Sequence, residues 1–153
     1  MILDLNDAKA LVSILQKSGK KVVFTNGCFD ILHRGHVDYL SKARNLGDFL
    51  IIGVNSDSSV KKLKGESRPI NNENDRAFLL DALKCVDAAV IFSDDTAERL
   101  VETLKPDIYA KGGDYTVDTL PEGQIVLKNG GKVEIIPFVE GYSTTKTLKK
   151  IKL

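Results

Sequence analysis

The sequence predicts an α/β fold, a five-stranded parallel sheet with helices on both faces, and three observations carry that expectation. Short runs rich in β-branched and aromatic residues alternate with segments of helical period, the pattern of a parallel sheet joined by crossover helices. The first three runs are almost continuously apolar, as expected of strands buried on both faces. The first run also ends in a glycine turn that opens a helix, the junction at which open α/β sheets place their ligands.

In chain order, a leading helix over about residues 7–17 turns Leu11, Ile14 and Leu15 inward, within a segment 1–19 that precedes a core of 20–151. Strands are expected at 21–26, 49–54, 88–92, 108–110 and 133–137. A helix over 35–46 repeats Val37, Leu40, Ala43 and Leu46 on one stripe, and Gly47 closes it. The stretch 56–74 is polar, lysine-rich and proline-containing, reads as one long loop, and leads to a helix starting near Asn74. A further helix over 99–104 buries Ala97, Leu100, Val101 and Leu104, with Asp95 or Thr96 as its cap. The last helix starts near Ser143 and runs to the end of the chain.

The 153 residues are 42% hydrophobic and 28% charged, which suits a single domain over 1–153 with a core large enough to need no staples. Net charge is only +1, from 22 basic and 21 acidic side chains, and the basic residues are scattered, which excludes a broad nucleic-acid-gripping surface. Any anion site must therefore be local. Cys28 and Cys85 form neither a disulfide framework nor a CxxC pair, so a reducing cytoplasm fits. The N-terminus lacks a basic signal region and no apolar run approaches a membrane span, so neither export nor anchoring is expected.

Chemistry concentrates after the first strand, in Thr25-Asn26-Gly27-Cys28-Phe29-Asp30-Ile31-Leu32-His33-Arg34-Gly35-His36. A helix N-terminus offers free N–H groups to a phosphate, and Gly35 allows close approach. His33 and His36 are the only histidines of the chain; three apart on a helical first turn, they would face one side and donate to one phosphate. A lone histidine is usually structural, but two in one HxGH unit at this place outweigh that reading. A metal site of His33 and His36 with Cys28 or Asp30 lacks a clear third ligand. Cys28 itself reads as a small buried filler.

Three more units follow. The first is Asn55 with Lys61, Lys62, Lys64 and Arg68, a set that could be solvated surface or could bring cations over the histidines. Next, Lys111-Gly112-Gly113-Asp114-Tyr115 follows the fourth strand and could be a simple turn. Finally, Tyr142-Ser143-Thr144-Thr145 opens the last helix; Ser143 caps it on either reading, and the hydroxyls and free N–H groups make a second anion cradle. Neither a Walker A pattern nor a GxGxxG fingerprint is present.

The HxGH unit resembles the first signature of the cytidylyltransferase-like nucleotidyltransferases, and all four units occur in that family's order over about 20–151. The resemblance implies a Rossmann-like HxGH nucleotidyltransferase fold. It implies catalytic roles for His33, His36 and Lys64. It places Asn26, Gly27, Cys28, Phe29, His33, Gly35, His36, Lys111, Gly112, Gly113, Asp114, Tyr115, Ser143, Thr144 and Thr145 around the nucleotide, and Asp30, Asn55, Lys61 and Arg68 around the second substrate. More narrowly, the units are similar to the adenylyltransferase domain of bacterial heptose biosynthesis. That implies transfer of AMP from ATP, with Mg2+, to D-glycero-β-D-manno-heptose 1-phosphate, giving ADP-heptose for lipopolysaccharide and releasing pyrophosphate. It also implies a homodimer and a separate heptose kinase upstream; Mg2+ is expected on the triphosphate oxygens with few protein ligands, and no residue is assigned to it. A cytidylyltransferase acting on glycerol 3-phosphate or another alcohol phosphate shares the same machinery, and a non-catalytic nucleotide-binding module is the remaining alternative.

Overall fold

The structure is a computed structural model, and it describes residues 1–151. Five strands, β1 (Val22–Gly27), β2 (Phe49–Asn55), β3 (Ala88–Phe92), β4 (Ile108–Gly112) and β5 (Lys132–Ile136), form one sheet in the order β3-β2-β1-β4-β5. Every pairing is parallel; Val23 sits opposite Leu50 on one side and Ile108 on the other. The fold is α/β and Rossmann-like. The chain steps outward from β1 through β2 to β3, then returns to lay β4 on the other flank of β1. Order therefore reverses between β1 and β4, and the cleft at their carboxyl ends is where such a sheet binds ligands.

Alternation along the strands separates two cores. Val22, Phe24, Ile51, Val90 and Tyr109 face α1 (Leu5–Lys17), α5 (Glu98–Leu104) and α6 (Pro121–Lys128). Val23, Leu50, Ile52, Ala89 and Ala110 face α2 (Arg34–Arg44) and α4 (Glu73–Asp81). Asp4 caps α1 by accepting from Asp7 N at 2.8 Å. No described helix is long and apolar enough to cross a membrane.

Several expectations need correction. The stretch 56–74 is not one loop: its first half is α3 (Asp57–Lys64), capped by Ser56. The helix α6 has no counterpart in the sequence reading. Neither Asp95 nor Thr96 caps α5; Thr96 bonds the Glu98 side chain, and the cap position is Ala97, whose N–H donates to the Glu122 carboxylate of α6 instead. Ile14 and Val37, expected inward, are 64% and 38% exposed, because each is turned away from the face its helix buries, that of Ala8 and Val12 in α1 and of Tyr39, Leu40 and Ala43 in α2. The last helix, α7, runs over Thr144–Ile151; the expected continuation to the chain end lies outside the described residues.

Candidate active site

The turn after β1 is shaped by steric needs that its residues meet. A Cβ on Gly27 would lie 3.0 Å from the Phe29 ring, and Phe29 itself takes φ 47°, a left-handed conformation that reverses the chain. His33 does not sit on the helix as expected: it is the residue before α2, with extended backbone (φ −140°, ψ 170°), while His36 lies in the first turn. The two rings nevertheless meet, stacked with centroids 3.8 Å apart at 20°. Tyr142 stacks on His33 with centroids 6.5 Å apart, and Phe29 meets His36 edge-on at 5.3 Å. Gly35 is required here, since a Cβ would come within 3.0 Å of both the His33 ring and Tyr142.

Nδ1 of both histidines is buried without a hydrogen-bond partner. No carboxylate holds either ring charged. Burial, then the neighbouring His33 and Lys64, push the His36 imidazole down to about 4, and burial alone lowers His33. Both rings are therefore neutral near pH 7 in the free protein, and an arriving anion would favour their charged forms.

A second group of polar residues bonds mainly within the protein. The buried Asp30 carboxylate accepts from Arg68 Nε at 2.6 Å and from the backbone N–H groups of Ile70 and Asn71 at 2.8 and 2.9 Å. Burial pushes its carboxyl up, but the Asn71, Ile70 and Arg68 donors outweigh that and hold it below the usual carboxylate range. Arg76, fully buried, donates to Cys28 O at 2.6 Å, Asn71 O at 2.9 Å and Asp57 at 2.9 Å. Together these bonds tie the 65–72 loop and the start of α3 to the turn after β1. Lys64, the last residue of α3, is thereby brought to the cleft.

Two adjoining cavities open at the carboxyl ends of β1 and β4. The inner one, about 180 Å³, is lined by Asn26, Gly27, Cys28, Phe29, Asp30, Lys111, Gly112 and Tyr115. The outer one, about 270 Å³, is lined by His33, Gly35, Ser143, Thr145 and Tyr142. His36, Tyr39, Lys64, Phe138 and Thr144 border both and form the wall between them. Ser143 Oγ accepts from Lys146 N at 3.1 Å, capping α7 and leaving the Thr144 and Thr145 hydroxyls to the cavity. Burial pushes the Cys28 thiol up, so it stays protonated at neutral pH.

Of the residues singled out from the sequence, Gly113, Asp114, Asn55, Lys61 and Arg68 line neither cavity. Gly113 has φ 110°, and a Cβ there would lie 2.5 Å from Phe138, so the glycine pair is what lets that ring settle across the end of β4. Asp114 is exposed. Asn55 is buried and donates to Ser59 Oγ at 3.0 Å. Lys61 is exposed, and Lys62 pairs with Asp95 at 2.9 Å. Asp30 lines the inner cavity with its carboxylate already committed, and Arg68 spends Nε on it while its Nη2 is buried without a partner. Four lining residues were not anticipated: Tyr39, Phe138, Val139 and Tyr142. Only Tyr142 carried a sequence signal, an aromatic directly ahead of the Ser-Thr-Thr cap.

Among the described residues no group of three or more His, Cys, Asp or Glu side chains stands together to hold a metal. The one carboxylate in the cavities is consumed by Arg68 and backbone donors, so the donor set does not fit a protein-held ion.

A parallel sheet with its order reversing at a cleft, two helix N-termini facing that cleft and a histidine pair between them define a nucleotidyltransferase-fold protein. The sequence profile of the cytidylyltransferase-like family matches residues 24–150, and the chain belongs to that family. It is 55% identical over 133 residues to the bifunctional protein HldE of Citrifermentans bemidjiense, covering 87% of this chain and 27% of that protein. With the bifunctional protein HldE of Geotalea uraniireducens it is 51% identical over 151 residues, 99% of this chain and 31% of that one. The chain thus spans less than a third of the length of these relatives. The crystal structure of the lipopolysaccharide core biosynthesis protein from Thermoplasma volcanium superposes with a TM-score of 0.64 at 34% identity, covering 82% of this chain and all of that one.

Proposed function

We propose that the protein transfers AMP from ATP to D-glycero-β-D-manno-heptose 1-phosphate, releasing pyrophosphate and forming ADP-heptose. The observation that carries this reading is the pair of cavities with one shared wall of His36, Lys64 and Thr144. Joining two phosphate compounds needs two anion sites meeting where the new bond forms. The four-motif resemblance to the heptose adenylyltransferases supports the substrates, as does likeness to a solved lipopolysaccharide core biosynthesis protein.

On this reading a phosphate oxygen of the sugar 1-phosphate attacks the α-phosphorus in line, a new P–O bond forms, and the bond to the β-phosphate breaks with its electron pair leaving on pyrophosphate. The attacking phosphate is already ionised near pH 7, so no side chain has to act as a strong base. His33, His36 and Lys64 stabilise charge on the transferring phosphoryl, the two imidazoles taking protons as the anion arrives. The α7 N-terminus with Ser143, Thr144 and Thr145 holds the pyrophosphate portion. Gly27, Cys28 and Phe29 border the transfer point. Mg2+ is delivered as part of the MgATP substrate and offsets triphosphate charge there. The sugar 1-phosphate must come from a kinase acting on the anomeric oxygen. A homodimer and a cytoplasmic location accompany this reading.

Pyrophosphate release with ATP, Mg2+ and the heptose 1-phosphate tests it, with CTP plus glycerol 3-phosphate run in parallel. The expected result is release in the first mixture alone; release only in the second would move the chain to the alcohol-phosphate cytidylyltransferases.

A further inference from the structure

Lys111 stands apart from the other cations of the cleft. It projects from the end of β4 into the inner cavity, its Nζ lies 5.3 Å from the centre of the Tyr115 ring, and among the described residues it makes no ion pair and no hydrogen bond. Glu122, the acidic group acting on it, remains beyond ion-pair distance and accepts from Ala97 N instead. The only carboxylate lining this cavity, on Asp30, is saturated by Arg68, Ile70 and Asn71. A half-buried ammonium facing a cavity without a counter-charge is costly unless an anion comes to it. Burial pushes its amine below the usual lysine range, in keeping with that cost.

The cavity contains the other parts of a phosphate seat. Asn26 Oδ1 accepts from the buried Tyr109 hydroxyl at 2.8 Å, which fixes the amide's orientation and leaves its Nδ2 hydrogens as free donors. Lys64 borders the same cavity. The outer cavity has its own anion donors in the histidine pair and the two helix N-termini. A triphosphate held there leaves Lys111 and Asn26 across the Phe138 wall without an anion.

We propose that Lys111, with the amide of Asn26, binds the phosphate of the acceptor sugar 1-phosphate in the inner cavity, on the far side of the shared wall from the nucleotide's phosphates. This rests on the sugar-phosphate adenylyltransferase reading above. It moves Lys111 from the nucleotide's surroundings to the acceptor's, and makes it a determinant of acceptor affinity.

The test compares wild type, Lys111→Met and Lys111→Arg by pyrophosphate release with each substrate varied in turn. It adds calorimetric binding of the heptose 1-phosphate and of a non-hydrolysable ATP analogue, each alone. Lys111→Met keeps the side chain's length and removes an unpaired charge, so its melting temperature should equal or exceed the wild-type value. The expected result is a rise of at least tenfold in KM and Kd for the sugar phosphate, less than twofold for ATP and its analogue, and partial recovery in Lys111→Arg. An unchanged sugar-phosphate constant, or a loss that falls on ATP, overturns the assignment. If wild type binds the sugar phosphate but does not turn over, the reaction reading fails while the binding arm still decides Lys111; if wild type does not bind it at all, both fail.

Discussion

The two sides of the cleft are built from similar residues and differ in whether their polar groups have partners. Around Asp30 and Arg76, a buried carboxylate and a buried guanidinium each satisfy several groups, and the bonds connect segments far apart in sequence. Around His33, His36 and Lys111, buried or half-buried nitrogens lack hydrogen-bond partners or counter-ions. Burying a polar group is costly either way, but on the first side the cost is offset within the protein, whereas on the second it is left for a ligand to offset. Under the proposed reaction, pairing separates charges that hold the site together from charges that act in it. Asp30 and Arg68, expected from the sequence to border the second substrate, stand on the first side, the Arg68 Nε donating to the Asp30 carboxylate.

The largest effect should come from the paired side. Replacing Arg76 with Met strands Cys28 O, Asn71 O and the Asp57 carboxylate, and should cost about 3–5 kcal/mol of stability by denaturant titration. Parity with wild type would show that the network is not scaffolding. On the unpaired side the effect moves to rate: His36→Ala should lower kcat by about 10²–10³-fold while the melting temperature stays within ~4 °C of wild type. A large fall in melting temperature with kcat retained would reverse the assignment.

Acidity distinguishes the two sides as well. His36 is held down at about 4 in the folded protein against 6.5 ordinarily, so the unfolded chain binds more protons between those values and stability falls as pH drops through that window, by ~3 kcal/mol at most. Melting curves of wild type and His36→Asn should diverge there, the variant being the flatter. Asp30 has the opposite displacement relative to its charge: its carboxyl lies below the ordinary 3.8, so its stabilisation is intact above that pH and disappears only as pH falls through the lowered value. Asp30→Asn should therefore cost about 1–3 kcal/mol at neutral pH, and the gap to wild type should close in strong acid. A gap that closes between pH 6 and 5 would place the titrating group elsewhere.

All five strands could be read from the sequence because each is a short run of β-branched or aromatic residues between turn signals. The helix α3 could not, since Ser56, Asp57, Ser58 and Ser59 look like a polar loop; its first turn is held by the Ser56 cap and by the bond from Asn55 to the buried Ser59. The helix α6 opens on Pro121-Glu122-Gly123, where Gly123 packs close to Leu120 and Val133, and it is not read from the sequence. The HxGH unit and the Ser-Thr-Thr cap were legible because their residues are contiguous. The clamp from Asp30 to Arg68 and the bond from Tyr109 to Asn26 span 38 and 83 positions, and no local pattern announces them. Nor does anything local say that Phe138 lies across Gly112 and Gly113 and divides the cleft.

In the proposed reaction the unpartnered imidazoles, neutral in the free protein, are completed by an incoming phosphate. Calorimetric titration of MgATP near pH 6, repeated in buffers of different ionisation enthalpy, reads the protons exchanged on binding. Net uptake by wild type, strongly reduced in His36→Ala, is expected; binding by wild type with no proton uptake would contradict protonation of the imidazoles by the bound phosphate.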